Sequence, residues 1–189
     1  MFPSVRGWAI VVLIFSALGI LDAQTTLLAP LDLTHGKPFV MVTINGKGPF
    51  RFILDTGTGA EAVITSELAA QLNLPVSGQV RLSDPSGLGG QTVPVLLIQS
   101  LKVAGVEFKG VAALQHAMGD SDGYCQGLLG FLLFREYLLT VDYPRQRMTL
   151  HRGALKPDGE QTVLPFRMPY GVPIVPLRIG ANHSVPEAH

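Results

Sequence analysis

The sequence has one cysteine and no excess of either charge. Of its 189 residues, 15% are charged, and 14 lysines and arginines balance 14 aspartates and glutamates. Proteins that follow phosphate backbones need a basic surface, so a net charge of zero excludes nucleic acid as an expected partner. Because Cys125 is the single cysteine, the chain cannot form an intrachain disulfide, and nothing around it supports a reactive thiol.

Signals for metal or phosphate binding are equally scarce. The five histidines are far apart in the sequence without ligand spacing, so no metal site is expected. They are His35, His116, His151, His183 and His189. The glycine-rich "GLGG" at 87–90 lacks the Lys-Ser/Thr of a phosphate-binding P-loop. The sequence therefore implies no cofactor.

Long hydrophobic runs are absent except at the N-terminus. A largely apolar stretch over 8–21 follows Arg6 and precedes the small residue Ala23. This pattern predicts a secretory signal peptide over 1–23, and it is short for a membrane span of about 20 residues. We therefore expect an exported protein, periplasmic or secreted. Leu21 departs from the small residues that favour cleavage, so a membrane-anchored protein with an uncleaved segment is the alternative.

The remaining chain has the pattern of an all-β protein. Apolar runs at 39–44 and 50–54 predict two strands, joined through Asn45-Gly46, a pair that tolerates the positive φ of a hairpin turn. A short helix follows, capped by Thr65 or Ser66 and ending before Pro75. Further strand-rich pieces alternate with Gly and Pro, and a second short helical piece is expected over 131–137.

One acidic residue stands where an apolar strand ends. Asp55 follows Phe-Ile-Leu and opens the triplet Asp-Thr-Gly. The strand fixes the carboxylate, Thr56 offers an N–H and a hydroxyl, and Gly57 allows a sharp turn. Two such carboxylates about 3 Å apart share a proton, so that one activates water while the other protonates a carbonyl oxygen. Taken alone, the triplet favours the simpler interpretation of a turn aspartate that caps its own backbone.

The segments "FILDTGTGAEAVI" and "GLLGFLLFREYLLTVDYPRQRMTL" together resemble the retropepsin-like aspartic protease family, in the form found in bacterial secreted proteins. The resemblance covers roughly residues 38–152. It implies an all-β fold, a closed or partly open β-barrel with one or two short helices. It also implies an aspartic endopeptidase that acts on peptide or protein substrates.

The resemblance assigns roles residue by residue. Asp55 matches the catalytic aspartate, and Thr56 and Gly57 complete the triplet, with the threonine bracing two halves of an active site. The apolar-glycine element that packs on this loop falls on Leu128, Leu129 and Gly130. A glycine-tipped hairpin that covers substrate falls on residues 84–91, with Gly87, Gly89 and Gly90 as the candidate flap glycines.

The chain departs from the family pattern in two ways. Thr58 follows the triplet where many members have Ala or Ser, and its hydroxyl can hydrogen-bond the carboxylate. There is also only one Asp-Thr-Gly in the chain. The second carboxylate could come from a symmetric homodimer or from a second lobe that this sequence lacks. Alternatively, the domain is an inactive peptide-binding module that keeps the fold.

The sequence also suggests a domain plan. After the signal segment, residues 24–37 are a lead-in, 38–155 the protease-like domain and 156–171 a linker. "VPLRIGAN" at 175–182 weakly repeats "MVTINGKG" at 41–48, so 172–189 is interpreted as the start of a truncated second repeat.

Overall fold

A computed structural model describes residues 27–83, 90–116, 124–153 and 166–176, and the backbone of 178–179 and 183–184. The predicted signal segment, and the parts of the predicted linker and second repeat outside these ranges, lie outside the described residues. The described chain is mostly β, with one short α-helix. Its strands are β1 Leu27–Pro30, β2 Phe39–Ile44, β3 Lys47–Asp55, β4 Ala62–Ile64, β5 Val76–Ser83, β6 Gly90–Val103, β7 Val106–Gln115, β8 Gly127–Gly130, β9 Tyr137–Asp142, β10 Arg147–Arg152, β11 Arg178–Ile179 and β12 His183–Ser184.

Six strands close into a mixed barrel. They are hydrogen-bonded in the order β2-β3-β8-β4-β7-β6, and β6 pairs back with β2 to complete the ring. β2 and β5 pair with different parts of the same edge of β6: β2 pairs near the C-terminal end of β6, and β5 pairs with its N-terminal half. The pairs β3–β8 and β4–β7 are parallel, while β4–β8 is antiparallel. The expected all-β, closed-barrel fold is thus confirmed.

The first hairpin forms where its sequence predicts it. β2 has the predicted bounds, and Asn45 (φ 49°) and Gly46 (φ 76°) both adopt the left-handed conformation of the turn. In β3 the side chains alternate between faces, and Phe50, Phe52 and Leu54 are buried in the barrel core. Because of this alternation, the side chains between these buried residues, and the one after Leu54, point to the face away from the barrel core.

The helix α1 spans Ser66–Leu72 and begins at the predicted cap. The Leu68 N–H donates to the Thr65 hydroxyl at 3.2 Å, and Asn73 ends the helix in a left-handed conformation. The second predicted helix is shorter than expected. Of residues 131–137, Phe131–Phe134 form a 3₁₀ turn, and Tyr137 already belongs to β9, where it pairs with Arg152.

A second, three-stranded sheet in the order β1-β10-β9 includes part of the lead-in. An arginine attaches the rest of the lead-in to the barrel. The Arg51 guanidinium lies 4.1 Å from the ring centroids of both Phe39 and Tyr124, and it forms an ion pair with Asp32. Hydrogen bonds from Thr34, assisted by the charge of Arg51, hold the pKa of Asp32 below its usual range.

The C-terminal part that the structure describes packs on the 3₁₀ turn. Arg167 and Ile174 form an isolated antiparallel bridge, and the Phe166 ring meets the Phe131 ring edge to face at 6.3 Å. Over the described ranges, none of the helices has the length and apolar character needed to span a membrane.

Candidate active site

Asp55 is the last residue of β3 and lies on the face opposite the barrel core. Leu54 points into the core, so the next side chain points out of it, and the carboxylate is half-buried. An ionised carboxylate is costly to bury without partners. The strand register therefore presents the acid at the end of an apolar strand without placing it in the core.

Hydrogen bonds from its own loop reach both oxygens of this carboxylate. The Gly57 N–H donates to Oδ1 at 3.0 Å, and the Thr58 hydroxyl donates to Oδ2 at 2.7 Å. The Thr58 N–H also donates to the Asp55 carbonyl at 3.2 Å, which closes a tight turn. Hydrogen bonds to a carboxylate are stronger than those between neutral groups, so they hold it in one orientation. The hydroxyl contact expected from the sequence is present.

Gly130 lies against the same loop. It is the register partner of Asp55 across the parallel β3–β8 pair. A Cβ at this position would lie 1.9 Å from the Ala60 carbonyl oxygen and 2.8 Å from that of Thr58. Only glycine lets β8 approach the loop this closely. Of the predicted apolar-glycine element, Gly130 is the member that touches the loop backbone.

The two leucines of that element lie on opposite faces of β8. Leu129 is fully buried and is paired with Leu54, whereas Leu128 is half-buried and is paired with Ile53 on the face that carries Asp55. Thr56 is exposed at the surface of the loop. The structure therefore brings the triplet, Thr58 and Gly130 together, with Leu128 along the neighbouring strand.

The predicted flap can be placed only at its base. β5 and β6 pair antiparallel up to Ser83 and Gly90, and the segment 84–89 joins these paired ends. Gly90 belongs to β6. Gly87 and Gly89 lie outside the described residues, so the flap assignment stays a prediction.

Sequence reasoning missed Glu61 and gave no role to Gly127, the first glycine of the "GLLG" element. Glu61 ends the loop, and its carboxylate accepts from the Ala112 N–H at 2.9 Å and from Arg135 Nη1 at 2.5 Å. The hydrogen bond to Glu61 raises the pKa of Arg135. Gly127 lies against Phe52, whose ring carbon would be 2.1 Å from an added Cβ. An acid directly before the apolar "AVI" was the available signal for Glu61, but its partners are distant in sequence.

Among the described residues, no group of three or more His, Cys, Asp or Glu side chains could hold a metal ion.

Comparison with known proteins identifies the family of the domain that carries this loop. No curated protein matches the chain. The family model described as aspartyl protease matches residues 40–132, a range that includes both Asp55 and Gly130. The chain therefore contains an aspartyl protease family domain of the retropepsin-like kind over residues 40–132.

Proposed function

We propose that the protein is an aspartic endopeptidase in which two Asp55 carboxylates, one from each chain of a homodimer, activate a water molecule. One observation carries the proposal: Asp55 is half-buried, and N–H and O–H donors of its own loop hold both of its oxygens. A carboxylate oriented in this way is suited to act as general base toward water.

The second carboxylate is needed on chemical grounds. A single ionised aspartate can accept a proton from water, but it cannot at the same time protonate the carbonyl oxygen of the peptide. Two carboxylates about 3 Å apart divide these tasks, because their mutual repulsion keeps one of them protonated. The sequence holds one Asp-Thr-Gly, and Thr56 and Gly57 are exposed. A two-fold axis next to this loop would supply the second carboxylate from an identical chain, so a second Asp-Thr-Gly in the same sequence would not be needed.

In the proposed reaction the peptide lies across both chains. One Asp55 carboxylate takes a proton from the water molecule while the water oxygen attacks the scissile carbonyl carbon. The other, protonated Asp55 gives its proton to the carbonyl oxygen, which yields a neutral tetrahedral diol. The Asp55 that took the proton from water then gives it to the amide nitrogen, while the other Asp55 takes a proton back from a diol hydroxyl; the C–N bond breaks and an amine and a carboxylic acid are released. Thr58 and Gly57 keep each carboxylate in place throughout.

The test measures mass and cleavage on the same sample. We expect the mature chain to be a dimer that cleaves unfolded protein, and a peptide with a hydroxyl isostere at the scissile bond to inhibit it. Asp55→Asn should lower kcat by at least about a hundredfold without unfolding the protein. Glu67→Gln is the matched control, since it removes an exposed carboxylate in the first turn of α1.

Other outcomes separate the alternatives. A folded dimer that cleaves nothing, or a variant Asp55→Asn with full activity, would refute the proposal. A monomer that binds extended peptides without cleaving them would support the peptide-binding module instead, since an exposed strand edge binds peptides without catalysis.

A further inference from the structure

The Asp55 loop, residues 55–61, is held at its two ends by different means. Its near end is fixed by the hydrogen bonds that the Asp55 carboxylate accepts from Gly57 and Thr58. Its far end is residue Glu61, directly before β4. Glu61 contacts three other parts of the chain, whereas the hydrogen bonds to the Asp55 carboxylate come from within the loop.

The backbone and side chain of Glu61 reach opposite neighbours of β4. Its carbonyl accepts from the Gly130 N–H of β8 at 3.0 Å. Its Oε2 accepts from the Ala112 N–H of β7 at 2.9 Å. Because Ala62 is the register partner of Ala113, Glu61 lies one residue beyond the β4–β7 ladder. The carboxylate therefore supplies an acceptor to the next N–H of β7, which the Glu61 backbone, turned toward β8, does not reach.

The other carboxylate oxygen connects the loop to the 3₁₀ turn that follows Gly130. Arg135 Nη1 donates to Glu61 Oε1 at 2.5 Å and to the Leu132 carbonyl at 3.3 Å. The Glu61 side chain is 21% exposed, whereas that of Arg135 is 61% exposed. Both contacts are accessible to solvent, because Ala112 and Arg135 are exposed residues, and an exposed ion pair contributes little to stability by itself.

We infer that Glu61 is a positioning residue for catalysis, which holds the Asp55 loop at a fixed distance from Gly130 and β7. The inference rests on the proposed function, because it requires Asp55 to be catalytic. Its physical basis is that the Glu61 carbonyl and carboxylate bind β8, β7 and the 3₁₀ turn at once. Loss of the side chain leaves the far end of the loop tied by its backbone alone.

The experiment uses the full folded protein and two readouts. Amide hydrogen exchange is measured at Gly57 and Gly130, which report on the loop, and at Leu150 in β10, which lies outside this network. Glu61→Ala removes the carboxylate that accepts from Ala112, and it should speed exchange at Gly57 and Gly130 by about tenfold, the loss expected when a hydrogen bond to a charged group no longer holds the far end of the loop, while Leu150 stays within about twofold. It should lower kcat by about tenfold with KM within about twofold.

Matched variants give the result its meaning. Glu61→Gln keeps an oxygen that can accept from Ala112, so both readouts should stay within about threefold of the wild type. Glu107→Ala removes a carboxylate from β7 that bonds Ser100 and does not reach the loop, so it should change neither readout. If Glu61→Ala does not fold, Glu61→Asp replaces it, since a side chain one methylene shorter cannot span both partners.

Each outcome of this experiment either supports or overturns the positioning role of Glu61. Equal acceleration at all three amides, or no acceleration at any, would overturn the inference, as would local acceleration with unchanged kcat. If the wild-type protein cleaves no peptide, the proposed function fails separately. The exchange rates at Gly57 and Gly130 then decide alone whether Glu61 positions the loop.

Discussion

At the scale of single residues, the site depends on donors that meet one carboxylate. Asp55 receives an N–H from Gly57 and a hydroxyl from Thr58, both within three residues along the chain. Short sequence separation makes this arrangement inexpensive in chain entropy, because few backbone angles need to be fixed. The orientation of Asp55 is therefore a property of the loop itself, and it can be tested by single substitutions.

Replacing the Thr58 hydroxyl with a methyl group should weaken the proposed catalysis. Thr58→Val keeps the side-chain shape but removes the 2.7 Å hydrogen bond to Asp55 Oδ2, and hydrogen bonds to charged groups contribute about 1.5–3 kcal/mol. We expect kcat to fall by about tenfold or more, as measured by steady-state kinetics. Thr58→Ser retains the donor and should stay near wild type. Equal activity of the two variants would show that the hydroxyl is dispensable.

A methyl group at Gly130 should destabilise the whole domain. The Cβ of Gly130→Ala would overlap the Ala60 carbonyl at 1.9 Å, and backbone atoms cannot rotate away as a flexible side chain does. We expect a loss of about 3 kcal/mol or more in the free energy of unfolding, measured by urea denaturation. Gly78→Ala is the control, because an added Cβ there has nothing within 4 Å. A stable Gly130→Ala variant would contradict the close approach of β8.

The sequence predicted some of these residues and not others. Asp55 and Thr58 were predicted because the triplet motif is contiguous. Glu61 was not, because its partners Ala112 and Arg135 are 51 and 74 residues away, and no local pattern indicates which acid will meet them. Residues that act through distant partners have no signal within their own stretch of chain.

At the scale of elements, the features that could be predicted again depend on residues close together in the sequence. The β2–β3 hairpin and the start of α1 were predicted because the Asn45-Gly46 turn and the Thr65 cap act over two to three residues. The parallel pairing of β3 with β8, which sets Asp55 opposite Gly130, joins strands far apart in sequence. Its register follows from barrel closure, which the residues of either strand do not encode alone.

The hairpin of β9 and β10 should make a pH-dependent contribution to stability. The Arg145 N–H, aided by the charges of Arg145 and Arg147, holds the pKa of Asp142 below its usual range. Because the folded-state pKa lies below the unfolded one, this contribution is complete above about pH 4 and is lost as the pH falls through the folded-state value.

Comparison of Asp142→Asn with the wild type isolates this contribution, since all other carboxylates cancel in the difference. We expect the variant to be less stable at neutral pH and the two proteins to converge in acid. The measurement is urea denaturation at a series of pH values. A difference in the free energy of unfolding that stays constant with pH would show that Asp142 acts by shape and not by charge.

At the scale of the whole molecule, each chain supplies one Asp-Thr-Gly aspartate, Asp55. The closed ring of β2, β3, β8, β4, β7 and β6 holds Asp55 at the end of β3, beside the exposed Thr56 and Gly57. Burial of this surface between two copies would bring two Asp55 loops together across a two-fold axis. We therefore propose that the activity belongs to a pair of chains and not to a single one.

Subunit mixing tests that claim most directly. Wild-type protein at fixed concentration is allowed to exchange subunits with increasing amounts of Asp55→Asn protein, with peptide substrate in large excess. If each site needs Asp55 from both chains, about a fourfold excess of the variant should lower cleavage to about one fifth, since most wild-type chains then have an inactive partner. Cleavage that stays constant as the variant is added, with exchange verified by mass, would contradict a shared active site.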